Sequence, residues 1–126
     1  MIVIDASVLA TALGDDGDDG VRARARIRDE DLAAPQIVDL EVVSVWRRTL
    51  IDGRRASLAL ADLGELPLRR APHLPLLPRS WELRHNLTPY DASYVALAEA
   101  LEVPLVTADR RLARATGVRC EIEALG

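Results

Sequence analysis

Short runs of apolar residues alternate along this chain with longer segments of helical periodicity. The first run, Ile2-Val3-Ile4, has the length and the β-branched composition of a buried strand. Four later runs have the same character: residues 32–34, 66–71, 103–107 and 120–122. Strands that are separated by helices pair in parallel, because each helix carries the chain back across the sheet. The sequence therefore predicts an α/β fold with a central, mainly parallel, twisted sheet flanked by helices.

The segments between these runs are predicted to be helical. They cover residues 7–13, 21–28, 37–51, 57–66, 75–86, 89–101 and 110–115, and the fourth weakens at Gly64 before it stops at Pro67. Ser7 is predicted to cap the first helix, and Gly53 to end the third. Leu, Val and Ala dominate the 49% of hydrophobic residues, enough for a core of ordinary size. The 126 residues are therefore predicted to form one domain, 1–126.

The overall charge gives no sign of nucleic-acid binding, since the formal net charge is -4. All 16 basic residues are Arg, however, and Arg pairs bidentately with phosphate. The single cysteine, Cys120, excludes an internal disulfide framework and is predicted to be a small core residue. The sequence shows neither a signal peptide nor an apolar stretch of membrane-spanning length. A soluble, cytoplasmic protein without membrane contact is expected.

Two acidic residues come just after the ends of predicted strands. Asp5 comes after the first strand, and Asp109 comes two residues after Thr107, where the fourth strand ends. Ligands of open α/β sheets bind outside the carboxyl ends of the strands. The two carboxylates are therefore expected at the same edge of the sheet.

Glu41 lies inside the third predicted helix, beside its apolar side. At spacings of three and four residues, Glu41, Ser44 and Arg48 share one polar arc. A solvated Glu41 paired with Arg48 is one interpretation. The mostly apolar helix around Glu41 favours the other, in which its carboxylate belongs to a site.

Asp91 opens the helix over 89–101, on a stripe that continues through Tyr94, Ala98 and Leu101. The stripe is otherwise apolar and should face the sheet, where a carboxylate is costly unless it is paired or bound to metal. Thr88 and Asp91 also match a capping box, with Pro89 at the first helical position. Local sequence leaves the metal-ligand and the capping interpretations open.

Several other chemistries lack their residues. The two histidines have neither the spacing of a zinc site nor a serine-hydrolase motif around them. A Gly-rich phosphate loop is absent. The acidic turn at residues 15–20 lacks the Gly and Glu positions of a calcium-binding EF-hand. Receiver domains and haloacid-type phosphatases normally need a Lys, and the chain has none.

Three segments together resemble the PIN domain, and most closely its VapC toxin branch. They are MIVIDASVLA at the start, the PxxxxLE pattern that ends at Glu41, and LTPYDASYVALAEALEVPLVTADRRL over residues 87–112. The last segment is the most specific. The resemblance covers essentially the whole chain, and residues 54–84 match it least.

The resemblance implies a metal-dependent ribonuclease that hydrolyses RNA phosphodiester bonds. Its acidic residues carry over to the metal and catalytic positions Asp5, Glu41, Asp91 and Asp109. Asp5 and Asp91 are the expected direct ligands, and Glu41 and Asp109 would complete or orient the site. Oxygen ligands suit Mg²⁺, for which Mn²⁺ can substitute.

Three further residues are predicted to contact the substrate. They are Thr107, Arg48 and Arg110, of which the arginines would hold the RNA backbone.

By the same resemblance, two protein partners are expected: a small VapB-like antitoxin that covers the active-site groove, and a second copy of the chain. Trp46 and the Leu-rich segments 58–66 and 74–77 are candidates for exposed partner surface, with burial in the core as the alternative. A PIN nuclease outside any toxin pair and a non-catalytic PIN-like binding module are the alternative functions.

Overall fold

The computed structural model describes residues 1–50 and 52–126, and within them the expected α/β architecture. The strands are β1 (Ile2–Ile4), β2 (Leu32–Pro35), β3 (Leu68–Ala71), β4 (Leu105–Thr107) and β5 (Ile122–Ala124). The helices are α1 (Ala6–Gly14), α2 (Asp18–Ile27), α3 (Val38–Thr49), α4 (Gly53–Glu65), α5 (Leu77–Glu82), α6 (Pro89–Leu101) and α7 (Arg110–Ala113). One 3-10 turn, Leu74–Leu76, precedes α5.

The five strands form one parallel sheet in the order β3-β2-β1-β4-β5. The chain starts in the middle at β1, adds β2 and β3 on one side, and then crosses over to add β4 and β5 on the other. Connections from β1 and β4 therefore run in opposite directions. Such a switch opens a crevice at the carboxyl ends of the two strands, which is where α/β domains bind ligands.

Two groups of helices cover this sheet. Helix α1 packs against α2, α3 and α4, whereas α5 packs against α6, which lies on β1 and β2. Right-handed crossovers that run in opposite directions place their helices on opposite faces of a sheet. The core between the layers includes Ile4, Leu9 and Tyr94, each less than 2% exposed.

Several predicted helix boundaries were wrong, and side-chain caps explain most of the differences. Asp5, not Ser7, caps α1, because the Asp5 carboxylate accepts a hydrogen bond from the Val8 N–H. Gly53 begins α4 instead of ending α3, since Asp52 caps α4 through the Arg54 N–H. The predicted end of the third helix at Ile51 lies outside the described residues.

Later in the chain, the helix predicted over 75–86 breaks into the 3-10 turn, α5 and turns. The last strand lies two residues beyond the predicted 120–122, and Cys120 is only half-buried beside the core. On α6, Tyr94 and Ala98 are buried as predicted, but Leu101 at the end of the helix is 40% exposed.

Trp46 is a core residue and not partner surface. Its side chain is 4% exposed, and its indole N–H donates a hydrogen bond to the Ala10 carbonyl over 3.1 Å. This contact fixes α3 against α1 at the point where Gly14 ends α1. A Cβ atom on Gly14 would lie 2.5 Å from Trp46 Nε1, so only glycine permits this approach.

We expect Gly14→Ala to lower the free energy of unfolding by about 1–3 kcal/mol, because Trp46 must move and thereby weaken its hydrogen bond to the Ala10 carbonyl. The matched control is Gly64→Ala in α4, where an added Cβ meets nothing within 4 Å. That variant should gain about 0.4–1 kcal/mol from a less flexible unfolded chain. Urea denaturation of the three proteins measures both changes, and equal stabilities would contradict the packing described for Trp46.

Candidate functional site

The crevice at the carboxyl ends of β1 and β4 contains a pocket of about 240 Å³. All four predicted acidic residues line it, and they come from four separate places in the chain. Asp5 follows β1, Glu41 lies on α3, Asp91 on the first turn of α6, and Asp109 before α7. The fold thus brings together carboxylates that are up to 104 positions apart in the sequence, from residue 5 to residue 109.

Asp5 is the most buried of the four, with 6% of its surface exposed. Its Oδ1 accepts hydrogen bonds from the Ser7 hydroxyl at 2.6 Å and the Val8 N–H at 3.2 Å. Its Oδ2 accepts one from the Thr107 hydroxyl. A carboxylate offers about four lone pairs, so these three bonds leave one on Oδ2 for a ligand.

The same hydrogen bonds join the ends of β1 and β4. Ser7 Oγ accepts the Ala108 N–H at 3.0 Å, and Thr107 Oγ1 accepts the Asp109 N–H at 3.0 Å. Sequence analysis missed this role of Ser7. Thr107, predicted to contact substrate, is fully buried. Its hydroxyl orients Asp5 and the loop that carries Asp109, and does not face the solvent, so that prediction was wrong.

Glu41 is held by a residue on the opposite helical layer. The Tyr94 phenol donates a hydrogen bond to Glu41 Oε1 over 2.5 Å. Among the described residues, Glu41 makes no ion pair with Arg48, so the structure does not have the solvated pair. Tyr94 was expected only as part of an apolar stripe, and its hydroxyl gave no signal in the sequence.

Asp91 combines the two interpretations that the sequence left open. The Thr88 hydroxyl caps α6 by accepting the Asp91 backbone N–H at 3.2 Å. This bond uses the backbone of Asp91 and leaves its carboxyl group to line the pocket. Capping and participation in the site are therefore compatible.

Asp109 is also placed by a capping interaction. Its carboxylate accepts the Arg111 N–H at 2.9 Å at the start of α7. The residue is half-buried and lines the pocket together with the other three acids.

The pocket raises the pKa values of three of these carboxyl groups. Burial is the largest cause for Asp5, Glu41 and Asp91 alike. Mutual repulsion adds to it, from Asp109 on Asp5 and Asp91, and from Asp91 and Asp5 on Glu41. Hydrogen bonds to Asp5 and Glu41 act in the opposite direction, as do the charge of Arg111 and a hydrogen bond from Thr88 on Asp91. Burial therefore exceeds repulsion as the cause of the raised pKa values.

The phenol of Tyr94 experiences the same environment. Burial, the hydrogen bond to Glu41 and the nearby acids all raise its pKa, so the phenol stays protonated and remains a donor.

The two predicted arginines occupy different places. Arg48 is exposed and lines the acidic pocket, on the α3 side next to Ser44. Arg110 lines a neighbouring pocket with Arg22, on the other side of the loop that contains Ala108. The structure thus brings Arg48, but not Arg110, into contact with the acidic pocket.

Within residues 1–50 and 52–126, no three Asp, Glu, His or Cys side chains stand close enough together to hold one metal ion. The pocket fits an ion held in another way, by one or two carboxylates and several waters, which is the usual environment of Mg²⁺. Three acids whose charged forms are disfavoured, with only oxygen donors around them, form a site that a divalent cation would stabilise.

These features define a class: an α/β domain with a carboxylate pocket at the switch point of a five-stranded parallel sheet. The chain belongs to the PIN domain family, whose model matches residues 2–118, and to its VapC branch. Ribonuclease VapC1 of Mycobacterium tuberculosis is 43% identical over 126 residues, covering 96% of this chain and 95% of the relative. Ribonuclease VapC9 of the same organism is 46% identical over 129 residues, covering 97% and 96%.

A solved structure supports the fold assignment. It is the crystal structure of VapBC2 from Rickettsia felis, bound to a DNA fragment from the VapBC2 promoter. The alignment has a TM-score of 0.70 at 16% identity and covers 100% of both chains. No helix in the described part of the chain is long and apolar enough to cross a membrane.

The raised pKa of Asp91 leads to a prediction about stability without metal. The ordinary pKa of an Asp carboxyl group is 3.8. The contribution of Asp91 to stability is therefore fully present below that pH and is lost as the pH rises through the higher pKa of the folded state. Asp91→Asn does not titrate. In EDTA, the free energy of unfolding of this variant relative to wild type should therefore rise as the pH increases above about 4.

Asp16→Asn is the control with the opposite sign. A hydrogen bond from Arg55 lowers the pKa of exposed Asp16, so this variant should lose stability relative to wild type as the pH rises towards 3.8, with no further trend above that pH. Urea denaturation at several pH values gives both trends. Parallel trends for the two variants would contradict the electrostatics assigned to the pocket.

Proposed function

We propose that this chain is a metal-dependent ribonuclease that hydrolyses RNA phosphodiester bonds as the toxin of a toxin–antitoxin pair. One observation carries the proposal: four carboxylates meet in one pocket, in a chain 43–46% identical to relatives named as VapC ribonucleases. An RNA substrate and this family together imply the cytoplasm as the place of action.

Asp5 and Asp91 are the proposed direct ligands of Mg²⁺ or Mn²⁺. Asp5 has one lone pair of Oδ2 left, and the capping bond of Asp91 does not use its carboxyl group. Glu41 and Asp109 complete the site through bound water, since the described acids are too far apart for three direct contacts. A divalent cation supplies an activated water and stabilises charge on the phosphoryl oxygens.

The remaining residues position these ligands and the RNA. Ser7, Val8 and Thr107 fix the Asp5 carboxylate before substrate arrives, which avoids reorganisation during the reaction. Arg48, exposed at the edge of the pocket, is placed to pair with an RNA phosphate. Arg110 in the neighbouring pocket would contact the backbone further along the strand.

Two exposed apolar patches suit the two proposed protein partners. Leu40 and Val43 on α3 flank Glu41 and are 68% and 41% exposed, so a bound antitoxin segment would cover them together with the pocket. The second patch lies on the connection from β3 to α6, in the 3-10 turn and α5. Its members Leu74, Leu77 and Trp81 are 70%, 46% and 67% exposed, and we assign it to the second copy of the chain.

Removal of divalent cations tests the enzymatic proposal. Purified protein should cleave total RNA in Mg²⁺ and lose this activity in EDTA, because the pocket has no catalytic His or Lys. Asp5→Asn should lower the cleavage rate by more than the roughly 10–100-fold typical of losing an indirect metal contact. The fold should persist, since Asn also caps helices well.

Asp62→Asn, an exposed acid on α4, is the matched control and should cleave like wild type. Fragment-end mapping and circular dichroism measure activity and folding. Cleavage that survives EDTA, or a fully active Asp5→Asn protein, would exclude the proposed metal site.

Sedimentation velocity tests the assignment of the second patch. Wild type should sediment as a dimer at micromolar concentration, and Trp81→Glu should shift it towards monomer, since the introduced carboxylate would have to lose its hydration in the interface. Val21→Glu on α2, where Val21 is 56% exposed, is the control and should remain dimeric. A Trp81→Glu protein that stays dimeric would place the interface on another surface.

A further inference from the structure

The hydrogen bond between Tyr94 and Glu41 connects the two helices that bring acids into the pocket. Tyr94 lies on α6, one turn after Asp91, and Glu41 lies on α3 in the other helical layer. The ring of Tyr94 is 1% exposed, so the core holds it in place. Its hydroxyl reaches out of that core to Glu41 Oε1, over 2.5 Å.

Glu41 needs such a tether. The charges of Asp5 and Asp91 act on it across the pocket and oppose its ionised form. Among the described residues, the Tyr94 hydroxyl is the one hydrogen-bond partner of the Glu41 carboxylate. A half-buried Glu has several rotamers, and repulsion would favour those that turn its carboxylate away from the other acids.

We infer that Tyr94 is a positioning residue, whose hydroxyl holds Glu41 in the pocket against the repulsion of Asp5 and Asp91 before a cation binds. This inference rests on the proposed function. The bond uses one lone pair of Oε1 and leaves the other lone pairs of the Glu41 carboxylate for a ligand.

Tyr94→Phe removes the hydroxyl and keeps the ring that fills the core. The expected result is Mn²⁺ binding weakened by roughly tenfold, as for other residues that orient metal ligands. Calorimetric titration with Mn²⁺ measures this directly, without reference to cleavage. Tyr90→Phe is the matched control, because Tyr90 lies on the same helix but is 58% exposed, and it should bind Mn²⁺ like wild type.

A double-mutant cycle separates positioning from a general effect on the fold. In a Glu41→Ala background, Tyr94→Phe should cause no further loss of Mn²⁺ affinity, because the group it positions is gone. An undiminished loss in that background would overturn the inference in favour of a structural role.

The wild-type titration distinguishes a failure of the inference about Tyr94 from a failure of the proposed function. If wild type binds Mn²⁺ and Tyr94→Phe binds it equally well, the inference about Tyr94 fails and the proposed function stands. If wild type binds no Mn²⁺ and cleaves no RNA, the proposed function fails and the inference with it.

Discussion

The buried Asp5 carboxylate is the constraint on which the rest of the site depends. A charged group with 6% exposure is costly unless its oxygens are satisfied. Ser7, Val8 and Thr107 satisfy most of them, and through these bonds the end of β1 is tied to the end of β4. The position of the loop after β4, and with it the position of Asp109, therefore follows from the need to satisfy the hydrogen-bonding capacity of Asp5.

A second requirement is that two helical layers meet at one edge of the sheet. Trp46 anchors α3 to α1 through Ala10, and Tyr94 contacts Glu41 from α6. Both side chains are buried, so the core determines where the polar atoms end up. The pocket therefore holds its acids together, and burial and mutual repulsion keep the pKa values of Asp5 and Glu41 raised.

Much of the fold was accessible from sequence because it rests on local patterns. Helix α6 was predicted at its observed bounds, since Thr88 and Pro89 give an unambiguous start. Boundaries failed where a capping side chain competed with a weaker local signal, as when Asp52 started α4 at a glycine expected to end a helix. The role of Tyr94 could not be predicted, because its partner lies 53 positions away.

The sequence by itself determined the alternation of strands and helices, the placement of Asp5 and Asp109 after strands, and membership of the PIN domain family. These properties depend on the order and spacing of residues along the chain. Only the tertiary structure decided that Thr107 is buried behind Asp5, that Arg48 but not Arg110 borders the acids, and which hydrogen bonds hold each carboxylate. Such contacts join distant segments, and their geometry depends on how the whole core packs.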